Sequence, residues 1–302
     1  MMLFDLKGVT KKYRAVTALD NLTVALPTGA VGLLGPNGAG KTTMIRTLLG
    51  LININEGEGH ILGMDIRKDS IKIRQAVGFV PEDECLFPGT TGVEFVTYAG
   101  ELAGMDRRDA MQRSHEVLDY AGLSEQRYRP VDSYSTGMKQ KLKLASAIVH
   151  DPKLLIMDEP TNGLDPKGRE EMLHLARDLS HEKQMSVLFS SHLLPDVEHV
   201  CDYVMVMGKG KLLAQGRIDE LKAQIESVYQ VRVKADAEAF AKALEAEGCR
   251  TEQAEDLLDV FAPDGVGAEL IWRTAARTNH QIRYLRPRRS TLEEVFLEAV
   301  GA

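Results

Sequence analysis

Hydrophobic and polar positions alternate at the start of the chain. Leu3-Phe4-Asp5-Leu6 and Leu22-Thr23-Val24-Ala25-Leu26 carry the period of two that half-buried strands need, and Pro27-Thr28-Gly29 turns the chain after the second. Ala30-Val31-Gly32-Leu33-Leu34 is a short apolar run, as expected of a strand buried on both faces. Past a glycine-rich loop the period changes, and Met44, Ile45, Leu48 and Leu49 recur at helical spacing. Residues 93–103 and 110–121 have helix-forming composition. Met138, Leu142, Ala145, Ile148 and Val149 form an apolar stripe whose simplest use is core packing. Val77–Val80, Leu154–Met157 and Ser186–Phe189 then read as strands, with helices over 170–179 and from about 194 to 200. Strands alternating with helices predict an α/β fold with a largely parallel, helix-covered sheet.

The pattern changes after position 222. Residues 228–233, 257–261 and 280–285 read as strands; 235–246 and 267–278 read as helices. Ser290-Thr291-Leu292-Glu293 has the capping-box spacing that opens a last helix through Val300. The expected domains are 1–222, with a mainly helical segment at about 83–150, and a small α+β module at 223–302.

Composition narrows the function classes. The chain has 302 residues, 44% apolar and 27% charged, which fits globular rather than disordered protein. A net charge of −7 is a poor match to a surface that wraps nucleic acid. Cys85, Cys201 and Cys249 are too scattered for a metal site or a disulfide framework. Apolar runs such as Tyr203–Met207 are strand-sized, so neither a membrane span nor a signal peptide is expected.

The chemistry concentrates in three places. Gly35-Pro36-Asn37-Gly38-Ala39-Gly40-Lys41-Thr42 fits G-x-x-x-x-G-K-[ST] between a strand and a helix. Small residues let backbone N–H groups turn inward around an anion, and the helix N-terminus adds partial positive charge. Lys41 is placed for β- and γ-phosphates and Thr42 for Mg²⁺, so a nucleoside triphosphate with magnesium is expected. Leu154–Met157 ends in Asp158-Glu159. At the carboxyl end of a parallel strand, Asp158 is placed to hold Mg²⁺, directly or through water, and Glu159 to orient or deprotonate the attacking water. Ser190-Ser191-His192 follows another apolar strand, where His192 could hydrogen-bond a γ-phosphate. Arg283, Arg286, Arg288 and Arg289 form a basic cluster, read first as a solvated face.

Over residues 3 to about 220 these features resemble the ATP-binding subunit of an ABC transporter, a P-loop NTPase with a helical subdomain. Gly35–Thr42 is similar to Walker A and Leu154–Glu159 to Walker B; Tyr134-Ser135-Thr136-Gly137-Met138-Lys139-Gln140 resembles the signature motif and Asn162-Gly163-Leu164-Asp165 the D-loop. The resemblance implies an ATPase using ATP and Mg²⁺. It implies nucleotide contacts from Tyr13, stacked on adenine, from Gly35, Pro36, Asn37, Gly38, Ala39, Gly40, Lys41, Thr42 and Thr43, and from Ser135 and Gly137 across a dimer. Catalytic roles fall to Lys41, Glu159, His192 and Glu82, and metal contacts to Thr42, Asp158 and Glu82. Glu82 stands where the family commonly has Gln, and Thr136 and Met138 depart from the usual signature. Both departures resemble exporter-type members with separate permease chains. The implied setting is the cytoplasmic face of a membrane, beneath a transmembrane permease, as a homodimer or heterodimer and without nucleic acid. A soluble relative acting on ribosomes or nucleic acid is the alternative; a single Walker A and the absence of coiled-coil insertions weigh against it.

Overall fold

The computed structural model describes residues 2–14, 16–224, 227–254, 257–262 and 267–287. The expected last helix over 290–300, together with Arg288 and Arg289, lies outside the described residues. Chain packing separates two compact units, Met1–Arg217 and Ile218–Ala302, a division slightly before the one read from the sequence.

The first unit holds two sheets. One is antiparallel and combines β1 (Met2–Tyr13), β2 (Val16–Pro27), β4 (Glu56–Ile61) and β5 (Met64–Asp65) in the order β2-β1-β4-β5. The other runs β10-β9-β3-β8-β7-β6, from β3 (Ala30–Leu34), β6 (Val77–Val80), β7 (Leu154–Asp158), β8 (Ser186–Ser191), β9 (Tyr203–Gly208) and β10 (Lys211–Arg217). Its neighbours are parallel except the β9–β10 hairpin. The helices are α1 (Lys41–Leu48), α2 (Ser70–Ala76), α3 (Gly92–Leu102), α4 (Arg107–Tyr120), α5 (Thr136–Ile148), α6 (Pro166–His181) and α7 (Leu194–Val200). The predicted stripe at 138–149 is the face of α5, and Leu142, Ala145 and Val149 are fully buried.

A single core joins the sheets around α1. Leu3, Leu6 and Val9 of β1, Val24 and Leu26 of β2, and Leu33 of β3 meet Met44, Ile45 and Leu48 of α1. Burying each such α1 side chain contributes about 1.5–3 kcal/mol. That packing fixes the α1 N-terminus directly behind the glycine-rich loop.

Strand β4, Glu-Gly-Glu-Gly-His-Ile, carries little of the composition that favours strands. Its glycines explain the pairing: a Cβ at Gly57 would lie 2.4 Å from the Gly8 carbonyl oxygen, so only glycine allows β1 this close. The second unit runs α8 (Ile218–Gln224), β11 (Ser227–Val233), α9 (Ala237–Glu245), β12 (Arg250–Ala254), β13 (Leu257–Ala262), α10 (Ala268–Arg277) and β14 (Ile282–Pro287). From β11 onward this is β-α-β-β-α-β, with antiparallel order β12-β13-β11-β14, a split βαβ arrangement. Val231, Val260, Phe240, Leu244 and Ile271 form its core. The edge strand β12, Arg-Thr-Glu-Gln-Ala, carried no apolar alternation to reveal it.

Candidate nucleotide site

Sheet order brings the chemistry together. Strands β3, β8, β7 and β6 lie side by side and parallel, so their carboxyl ends present Gly35, His192, Glu159 and Glu82 along one edge. This is where open α/β sheets bind ligands. A cleft of about 530 Å³ opens there, lined by Pro36–Thr43, Val16–Ala18, Glu82, Glu159 and Lys209.

The loop after β3 needs glycine at two points. A Cβ at Gly35 would lie 2.5 Å from the Met207 carbonyl oxygen. Gly40 caps α1 at φ 103°, and a Cβ there would lie 2.6 Å from the Ala18 carbonyl oxygen. Both close approaches press the loop against its neighbours, where only glycine fits. The Lys41 side chain is 6% exposed; its ammonium donates to the Gly35 carbonyl at 2.6 Å and lies 3.2 Å from Glu159 Oε1. Thr42 and Thr43 also line the cleft.

Asp158 and Glu159 are adjacent yet have opposite surroundings. Asp158 is almost fully buried, and that burial pushes its carboxyl above the usual range. The Thr42 and Ser190 hydroxyls pull it back; the Glu82 and Glu159 carboxylates add to the rise. Asp158 Oδ1 has no hydrogen-bond partner. A buried oxygen of this kind, beside a threonine hydroxyl, fits a hard divalent cation such as magnesium. Glu159 takes a left-handed backbone, φ 48°, at a cost of about 1–3 kcal/mol. Its N–H donates to the Ser190 carbonyl and its own carbonyl accepts from Asn162 N–H, each at 3.1 Å. With Oε1 toward Lys41, its Oε2 lies 2.8 Å from His192 Nδ1.

Glu82 faces the cleft and accepts from Asn162 Nδ2 at 3.1 Å. Tyr13 does not line it. It is paired with Val16, which does, and its ring lies 4.8 Å from the Lys11 ammonium in an exposed position. Ser135 and Gly137 sit apart, in a cleft of about 480 Å³ that shares no lining residue with the first. Ser135 caps α5, accepting from Met138 N–H at 3.3 Å, and Gly163 and Asp165 line the same cleft.

Two side chains that sequence reasoning missed tie the site together. Asp196, fully buried on α7, accepts from Thr161 Oγ1 at 2.7 Å and from Arg169 Nε at 2.7 Å. Lys143, on α5, reaches the loop that carries Glu82. The available signal was positional: Asp196 falls one helical turn past His192, and Lys143 is a cation inside an apolar helix face.

Known proteins give the same reading. Residues 19–162 match the sequence profile of the family described as ABC transporter. The linearmycin resistance ATP-binding protein LnrL of Bacillus subtilis is 32% identical over 99% of this chain and 98% of its own. The chain belongs to the ABC transporter ATP-binding subunits. The daunorubicin/doxorubicin resistance ATP-binding protein DrrA of Streptomyces peucetius is 30% identical, over 98% of this chain and 92% of its own. A solved dimer of the ATP-binding cassette MJ0796, in a post-hydrolysis state with ADP and Pi, superimposes with a TM-score of 0.65 at 25% identity, covering 71% of this chain and 98% of that one. The first unit is therefore an ABC ATPase cassette that binds and hydrolyses ATP, and the reading as a ribosome- or nucleic-acid-directed ATPase is not favoured.

Proposed function

We propose that two cassettes, identical or related, close on ATP and magnesium at the cytoplasmic face of a membrane and so drive export through a separate permease. The observation that carries this is the separation of Ser135 and Gly137 from the glycine-rich loop. Within one chain the two clefts share no residue, so a nucleotide held by Lys41 meets the signature hydroxyl and N–H from a second chain. Both groups stand at a helix N-terminus, which suits a γ-phosphate. In this reading the loop amides and Lys41 neutralise phosphate charge. Glu159 takes a proton from the attacking water, and His192 holds the far carboxylate oxygen in place. Thr42 and Asp158, with Glu82 beside them, would hold magnesium, which supplies charge neutralisation at the β- and γ-phosphates when bound.

The permease reading draws on relatives named for drug resistance. It is supported by an exposed aromatic group on the helical segment: Phe87 packs edge-on to Phe95 and Tyr98 at 5.6 and 5.7 Å, while Phe87, Tyr98 and Leu102 stay open to solvent. Among the described residues no helix is long and apolar enough to cross a membrane. The test is gel filtration with light scattering on the full chain carrying Glu159→Gln, with ATP. A dimer is expected, lost on adding Gly137→Asp while nucleotide still binds. A dimer that survives Gly137→Asp refutes the shared site.

A further inference from the structure

Lys143 is a cation where the fold gains nothing from charge. It lies on α5 between Leu142 and Leu144, both fully buried, and is itself 3% exposed. Its ammonium donates to three successive backbone carbonyls: Pro81 at 2.6 Å, Asp83 at 3.2 Å and Glu82 at 3.3 Å. Burial pushes its pKa down, although Asp83, Glu84 and Glu82 favour the charge. Burying an ammonium this deeply costs several kcal/mol unless its protons are all used. Here all three are directed at one short loop.

Two further contacts bind the same elements. One turn before Lys143, Lys139 meets Glu84 at 2.5 Å, so both cations reach the loop from one helix face. At the other end, a Cβ on Gly78 of β6 would sit 2.1 Å from the Ala147 carbonyl oxygen. Helix and strand are thus in backbone contact, with no side chain to cushion them. Helix α5, strand β6 and the loop 81–85 form one stiff piece. That piece carries Ser135 and Gly137, which line one cleft, together with Glu82, which lines the nucleotide cleft.

We infer that Lys143 is a positioning residue for hydrolysis: by holding the carbonyls of 81–83 to α5, it sets the Glu82 carboxylate in the cleft and ties that setting to the helix bearing Ser135 and Gly137. The inference rests on the proposed role of the site and extends it. Lys143 does not line the nucleotide cleft; it acts through Glu82.

The test is a double-mutant cycle on the full chain, with Lys143→Met, Glu82→Ala and the pair together. Single-turnover cleavage of γ-labelled ATP is measured at saturating nucleotide, with ATP affinity from calorimetry. Lys143→Met is expected to slow cleavage at least tenfold with affinity held within threefold. In the Glu82→Ala background, which has no side chain left to position, the same change is expected to slow cleavage less than twofold. An equal slowing in both backgrounds, or none in either, overturns the inference. Should Lys143→Met not yield folded protein, Lys139→Met removes only the outer tie. It is expected to slow cleavage about threefold with Glu82 present and not with Ala; independence from Glu82 overturns the inference again. Lys41→Ala serves as the control for the underlying reading. If it cleaves at the parent rate, the nucleotide site is misassigned, whatever Lys143 does.

Discussion

Replacing Glu159 with Gln separates binding from cleavage. Glu159 is 5% exposed and has two close neighbours, the Lys41 ammonium at 3.2 Å and His192 Nδ1 at 2.8 Å. Glutamine keeps the volume and can still accept a hydrogen bond through its amide oxygen. It loses the negative charge and the capacity to take a proton. A positioned base contributes about 10²–10⁴-fold, so kcat should fall by that factor, about 3–5 kcal/mol in barrier at about 1.4 kcal/mol per decade. Binding should move the other way. The carboxylate that now pairs with Lys41 is gone, and the ammonium is left to the phosphates, so ATP affinity should hold or rise. Single-turnover cleavage of labelled ATP gives the first quantity and calorimetry the second. A kcat within threefold of the parent would remove Glu159 as the base. A tenfold loss of affinity would mean that its charge serves binding and not cleavage.

Two other measurements probe parts of the fold around the site. Asp196→Ala strips a fully buried carboxylate from the partly exposed Arg169 and from Thr161, and losing hydrogen bonds to a charged group costs about 1.5–3 kcal/mol. Urea unfolding followed by the first unit's signal should show a loss of that size; one below about 1 kcal/mol would mean Arg169 finds solvent without penalty. Thiol labelling tests burial and pH together. Cys201 is buried and its thiol is pushed well above the ordinary value, whereas Cys85 is exposed with a milder rise from partial burial. A raised thiol pKa lowers the thiolate fraction at any given pH, and the thiolate is what reacts. Cys85 should therefore label first, faster as pH increases beyond 8.5, with Cys201 silent until the chain unfolds; early labelling of Cys201 would contradict the packing of α7 against the sheet.

Where local pattern and global role coincided, the sequence was readable. The loop 35–42, the strand 154–158 and the stripe on α5 each announce themselves within a dozen residues, because backbone conformation, burial and chemistry act on the same short segment. What escaped depends on distance along the chain. Strand β4 exists because Gly57 lets β1 approach, a fact about residue 8 as much as residue 57. Asp196 is an unremarkable helix carboxylate until α6 delivers Arg169 to it. Lys143 is only a cation inside an apolar helix face until the loop after β6 brings three carbonyls to it. Tyr13 is the reverse case. Resemblance put it against the base, but the β1–β2 hairpin gives the cleft Val16–Ala18 and leaves the Tyr13 ring beneath Lys11.

The pair Asp158-Glu159 also explains why two identical groups in sequence become two different reagents. On a regular strand they would alternate faces and little more. Here β7 ends between them. Asp158 keeps its strand geometry, stays buried, and finds hydroxyls as its near neighbours, with one oxygen lacking any protein partner. Glu159 turns into the left-handed region, which carries its carboxylate over to Lys41 and His192. The first environment opposes a bare charge; the second places a carboxylate between an ammonium and an imidazole. These contrasting surroundings are what the proposed roles, metal holder for Asp158 and base for Glu159, rest on. The strain at residue 159 is what separates them. A residue that relaxed the turn, such as glycine at 159, would remove the reagent along with the strain, so the cost is intrinsic to having both functions at one strand end.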